Sequence, residues 1–200
     1  MILFLNELVN GIIQVILFAL IPFIIWLVKY RKTESFFHWI GLRKIKHSDM
    51  KRILKWSILV FVIAYASGQV AILIRGDVQA ADSAYKGMEF TAVPTALIYS
   101  FIQTALSEEI LFRGFILKRL SEKFGFTAGN ILQGIIFGAL HLIMVWGQVG
   151  LLAGAAIFIY PIIAAMLLGY LNEKVASGSI YPSWIVHGLM NTVSQLMQVL

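Results

Sequence analysis

Cysteine is absent from the 200 residues, and only 13% of them are charged. The first absence excludes disulfides, thiol nucleophiles and cysteine-bound metals, and it leaves the redox compartment unreadable. The second accompanies a hydrophobic share of 60% and a mean hydropathy of +0.84. A soluble domain is about 45–50% apolar, so this composition excludes one and points to a polytopic membrane protein. There is no low-complexity linker, no useful repeat and no sign of a second domain, so residues 1–200 read as one membrane domain. A secretory signal is also missing: Glu7 sits where a basic n-region belongs, and the apolar stretch Leu8–Val28 is too long for an h-region. It reads as a retained first transmembrane helix.

The net charge of +6 is no nucleic-acid signal, because nine of the sixteen basic residues lie between Lys29 and Lys55. A basic segment between apolar segments marks a cytoplasmic loop facing anionic lipid. Nucleic acid is excluded as a partner, and the lipid bilayer is expected as one. Within residues 29–55, Phe36, Phe37 and Trp39 among charges suggest a short interfacial helix that anchors the loop, with His38 and His47 in the headgroup layer.

A span takes about 20 residues at 1.5 Å each. Six helices fit that template: about Leu3–Val28, Ile53–Ile74, Val93–Leu120, Ala128–Trp146, Leu151–Leu171 and Pro182–Leu200. The expected class is an all-α membrane bundle of about six transmembrane helices. Pro182 suits a first helical turn, whereas Pro22 and Pro161 lie inside spans and are expected to kink them. With the basic loop inside, both termini fall outside, as does the 75–89 loop with Asp77, Asp82 and Glu89. Lys118, Arg119, Lys123 and Lys174 return to the inside, which makes the topology self-consistent.

The third span carries Ser107-Glu108-Glu109-Ile110-Leu111-Phe112-Arg113. Each charge at that depth costs roughly 2.5–3.5 kcal/mol on translocon scales. Such groups insert only when they face protein and satisfy one another, so the default reading is a functional site inside the membrane. Glu109 and Arg113 stand at i,i+4 and can pair, while Glu108 lies about 100° round the helix with Thr104 and Phe112. Glu108 is thus free to act as a general acid or base, poised by desolvation. The next span offers His141, its only ionisable residue, on a face with Phe137, Gly138 and Gly134. The Gly134-x-x-x-Gly138 pair lets a neighbouring helix approach closely. The last span places His187 and Asn191 on one face. By helical rise Glu108, His141 and Asn191 fall at similar depths, roughly 15–21 Å from the cytoplasmic ends, with His187 shallower. Singly, each histidine or the asparagine serves as well as interhelical glue; their conjunction at one depth points to a site. Met144, Met166, Met190 and Met197 read as lipid-facing or packing residues.

These motifs resemble the CAAX protease and bacteriocin-processing family (CPBP, Abi, Rce1-like) of intramembrane endopeptidases. The resemblance rests on Glu108-Glu109-x-x-x-Arg113, on Phe137 four before His141, and on His187 four before Asn191, in that order over about residues 91–200. It implies peptide-bond hydrolysis within the bilayer on a peptide or membrane-protein substrate, with residues 91–200 as the catalytic core. Glu108 would activate water with His141 beside it, His187 and Asn191 would steady the oxyanion, and Glu109, Arg113 and Phe137 would support them. The family is often labelled metalloprotease, and Glu108, His141 and His187 would make a His₂Glu zinc set. No His-Glu-x-x-His pair is present, and Asn191 is a better oxyanion donor than zinc ligand. The expectation is therefore a metal-free mechanism with no required cofactor, zinc being the alternative.

Other classes compete with the enzyme. A non-catalytic bacteriocin-immunity or peptide-binding protein of the same fold would be free to lose one of Glu108, His141, His187 or Asn191, and all are intact. A proton-coupled transporter would show inverted repeats, and none is found. The expected location is the plasma membrane, multi-pass and bacterial.

Overall fold

The computed structural model describes residues 2–76 and 93–199, which are helical with short connections and contain no strand. The expected external loop with Asp77, Asp82 and Glu89 lies outside the described residues. Helix α1 spans Ile2–Lys29, α2 Phe36–Trp39 and α3 Met50–Arg75. Helix α4 runs unbroken over residues 93–124, α5 covers Phe126–Met144, α6 Leu151–Tyr170 with wide turns continuing to Val175, and α7 Tyr181–Val199. Six long helices thus stand in the expected order within an all-α bundle.

Among the described residues, four stretches are long and apolar enough to cross a membrane: Leu3–Lys29, His47–Ile74, Phe126–Met144 and Leu151–Val175. Helices α4 and α7 are less apolar because they carry the polar residues of the interior. The bundle is built polar side in. Ile16, Leu17, Leu59 and Leu73 face outward, while Glu109, Arg113, Gln133, Asn172 and Ser183 are fully buried. That distribution suits hydrocarbon outside and paired polar groups within.

Close approaches set the packing. Gly125, at φ +79°, joins α4 to α5 in a one-residue turn, its N–H closing on Ser121 O at 2.9 Å. Helices α5 and α6 then pack along the small-residue face expected at Gly134 and Gly138. A Cβ on Gly138 would strike the Phe158 carbonyl oxygen, and one on Gly134 would sit 3.3 Å from that of Ile162. Helices α1 and α7 close against α4 from other sides.

The aromatic segment before α3 is not only a headgroup anchor. Phe37 is exposed, but Trp39 and Ile40 are buried, with the Trp39 ring 5.7 Å from that of Phe115 on α4. The reason is Gly114, where a Cβ would lie 2.6 Å from Ile40 O, so α4 lets the linker backbone press against it. Beyond Ile40 the linker grips the turn before α7: Ile180 N–H donates to Gly41 O at 2.9 Å, and Ser179 Oγ to Arg43 O at 2.9 Å.

Helix α4 departs from the regular α-helix expected of it. Tyr99–Leu106 and Glu109–Leu117 are wound as wider π turns. Hydroxyls stitch the first stretch, Thr104 Oγ1 donating to both Tyr99 O and Ser100 O at 3.0 Å. Widened turns of this kind concentrate at functional sites.

Candidate active site

Glu109 and Arg113 meet as their i,i+4 spacing predicts, Nη1 lying 3.1 Å from Oε1, both fully buried. The contact is an ion pair rather than an aligned hydrogen bond, since no guanidinium N–H has a well-directed acceptor among the described residues. The guanidinium Cζ instead lies over the Phe137 ring, 4.6 Å from its centroid. Phe137 stands at the centre of the site. It meets Phe112 edge-on at 4.7 Å, His141 at 4.5 Å and His187 at 6.4 Å.

The two histidines are each tied through Nδ1. His141 Nδ1–H donates to Phe137 O at 2.8 Å, and His187 Nδ1–H to Glu109 Oε1 at 3.0 Å. Each ring thus has Nε2 left for a further partner. For His187 that atom lies 3.7 Å from Glu108 Oε2, so the imidazole stands between the two adjacent carboxylates. Asn191 is oriented in turn: its amide donates to Thr104 Oγ1 at 2.9 Å, leaving a second N–H for another acceptor.

Glu108, His141, His187 and Asn191 all line one cavity of about 70 Å³, together with Tyr99, Thr104 and Gln195. That is room for water beside a carboxylate and two imidazoles. A second cavity of about 70 Å³ adjoins it, lined by Arg113, Phe137, His141, Pro161 and His187 among others. The structure thus brings Glu108, Glu109, Arg113, Phe137, His141, His187 and Asn191 into one cluster. Zinc-type donors are present, but among the described residues no three histidine, aspartate or glutamate side chains are placed to hold a metal ion together.

Three residues of the cluster were not anticipated. Ser183 Oγ donates to Glu109 Oε2, and Asn172 Nδ2 donates to Ser183 Oγ at 2.6 Å. Gln195, 1% exposed, has no hydrogen-bond partner for either amide atom among the described residues. A signal existed: Ser183, His187, Asn191 and Gln195 recur every fourth residue, a polar stripe along one face of α7.

Comparison with known proteins places the cluster in context. A family model described as type II CAAX prenyl endopeptidase Rce1-like matches residues 90–193, just over half of the chain. No curated protein and no solved structure gives a match.

Proposed function

Because the chain belongs to the type II CAAX prenyl endopeptidase Rce1-like family, we propose that it is an intramembrane endopeptidase cutting a peptide or membrane-protein substrate at the Glu108 cavity. The observation that carries this reading is that Glu108, His141, His187 and Asn191 line a single small cavity inside a membrane bundle.

Glu108 takes a proton from water, whose oxygen attacks the carbonyl carbon of the scissile peptide. His141 supports that water through Nε2, its Nδ1 being committed to Phe137 O at 2.8 Å. As the C–O bond forms, negative charge gathers on the carbonyl oxygen, and the free N–H of Asn191 faces it. His187 joins as donor when Nε2 carries a proton. With Nδ1–H already on Glu109, which Arg113 also neutralises, that form is an imidazolium whose charge is offset by the oxyanion it contacts. Collapse breaks the C–N bond, and Glu108 returns its proton to the leaving amine. The Gln195 amide, a donor and acceptor with no partner among the described residues, matches a substrate main-chain peptide group.

Zinc on Glu108, His141 and His187 is the alternative. Their present placement does not form a three-ligand set, and no step above is routed through a metal.

The test compares peptides released by cells carrying the wild-type chain with those from cells carrying Glu108→Ala at equal abundance. A peptide lost in the variant, with its longer precursor accumulating, establishes the protease and its cut site. Identical profiles over several growth conditions would sink the reading and favour an immunity or peptide-binding role.

A further inference from the structure

A fully buried carboxylate is aimed by the side chains that touch it. Arg113 and His187 both approach Oε1 of Glu109, at 3.1 and 3.0 Å. Oε2 has one hydrogen-bonding partner among the described residues, the hydroxyl of Ser183. That hydroxyl also has a competing acceptor in its own helix, Ile180 O at 3.1 Å.

Asn172 lies opposite this choice. Its Nδ2 donates to Ser183 Oγ at 2.6 Å, while its Oδ1 accepts the Ser183 backbone N–H at 3.3 Å. The asparagine thus grips one residue at two points, and both residues are fully buried. Nδ2–H occupies the acceptor side of the hydroxyl oxygen, so the hydroxyl proton is left for Glu109. The N–H that Asn172 accepts is one of those a helix start leaves unpaired, so the same side chain caps α7 from a distance.

We infer that Asn172 and Ser183 are positioning residues that set the Glu109 carboxylate and, through its contact with Nδ1, the orientation of the His187 ring. The chain of contacts runs from the end of α6 through α7 to α4 and back to α7, and each step is a hydrogen bond between buried residues, where such networks act as a unit. Partners that orient a histidine at metal sites change activity about 10–100-fold when removed, and an effect of that order is expected here. The inference rests on the proposed role of His187, but its first readout does not require cleavage.

That readout is the ¹⁵N spectrum of histidine-labelled, full-length protein in micelles. His187→Gln identifies the His187 signals among the four histidines. Ser183→Ala removes the hydroxyl but keeps the N–H that Asn172 accepts, so a mere helix cap survives. We expect Ser183→Ala and Asn172→Leu to move the His187 Nδ1 signal, and Ser183→Thr to leave it at the wild-type position. On any peptide the wild type cleaves, Ser183→Ala lowers kcat roughly 10–100-fold with KM little changed. An unmoved Nδ1 signal in Ser183→Ala overturns the inference even if Asn172→Leu fails to fold. Absence of wild-type cleavage overturns the protease reading alone.

Discussion

Glu109 holds His187 through Nδ1 at 3.0 Å and so turns the other ring nitrogen toward Glu108, 3.7 Å away. Neighbours in sequence therefore contribute to one imidazole from opposite sides. Glu109 is fully buried, whereas the Glu108 side chain retains 18% exposure and lines the cavity. One carboxylate fixes the ring and the other faces the space where a substrate would lie.

Arg113→Ala leaves Glu109 buried without its cation. Breaking such a pair from one side costs about 3–5 kcal/mol. The variant should show lower membrane abundance and a lower unfolding temperature in detergent, partly restored by adding Glu109→Gln. Abundance and melting equal to wild type would refute the structural assignment of the pair.

Gly138→Val drives a side chain into the Phe158 carbonyl and Ile162. Forcing α5 off α6 should cost about 1–3 kcal/mol by overpacking. Thermal unfolding measures the cost, and activity should fall further than stability because His141 rides on α5 one turn nearer its end. A valine variant as stable as wild type would show that the two helices are free to separate.

Gln195→Leu removes a buried amide that has no partner among the described residues, so the free protein should be at least as stable. If the amide bonds the substrate main chain, kcat/KM should drop by a factor of roughly 5–30, the equivalent of about 1–2 kcal/mol. Paired melting and kinetic measurements separate these effects. A stable variant with wild-type kinetics would remove Gln195 from the substrate site.

Exhaustive chelation should leave the activity of purified protein intact, because general-base attack by Glu108 requires no metal. Complete loss restored by zinc alone would overturn the metal-free mechanism.

The ion pair of Glu109 with Arg113 and the close approach at Gly138 were legible because each follows from helical spacing within a single segment. Glu108, His141 and Asn191 were legible as isolated polar groups at matching depth in apolar spans, and His187 as the partner one turn before Asn191. Asn172 was not, because it sits beyond the end of a greasy helix, where an asparagine is unremarked, and only tertiary folding brings it to Ser183. The wide turns of α4 were equally hidden: the same residues fit either winding, and hydroxyl bonds such as those of Thr104 tip the choice. The inward packing of Trp39 was hidden as well, because aromatics among lysines look alike at a surface and against a neighbouring helix.

The grip of the linker on the turn before α7 bears on what counts as a unit in this protein. The family match begins at residue 90, yet Ile180 and Ser179 are tied to Gly41 and Arg43, and Arg52 Nη2 reaches Val175 O at 2.8 Å. Severing the chain at that boundary would strip the N–H of Ile180 and uncover α4 at Gly114. The matched half is therefore not a detachable module: the first half of the chain supplies one of its walls, and residues 90–193 expressed alone should fold less stably than the full chain.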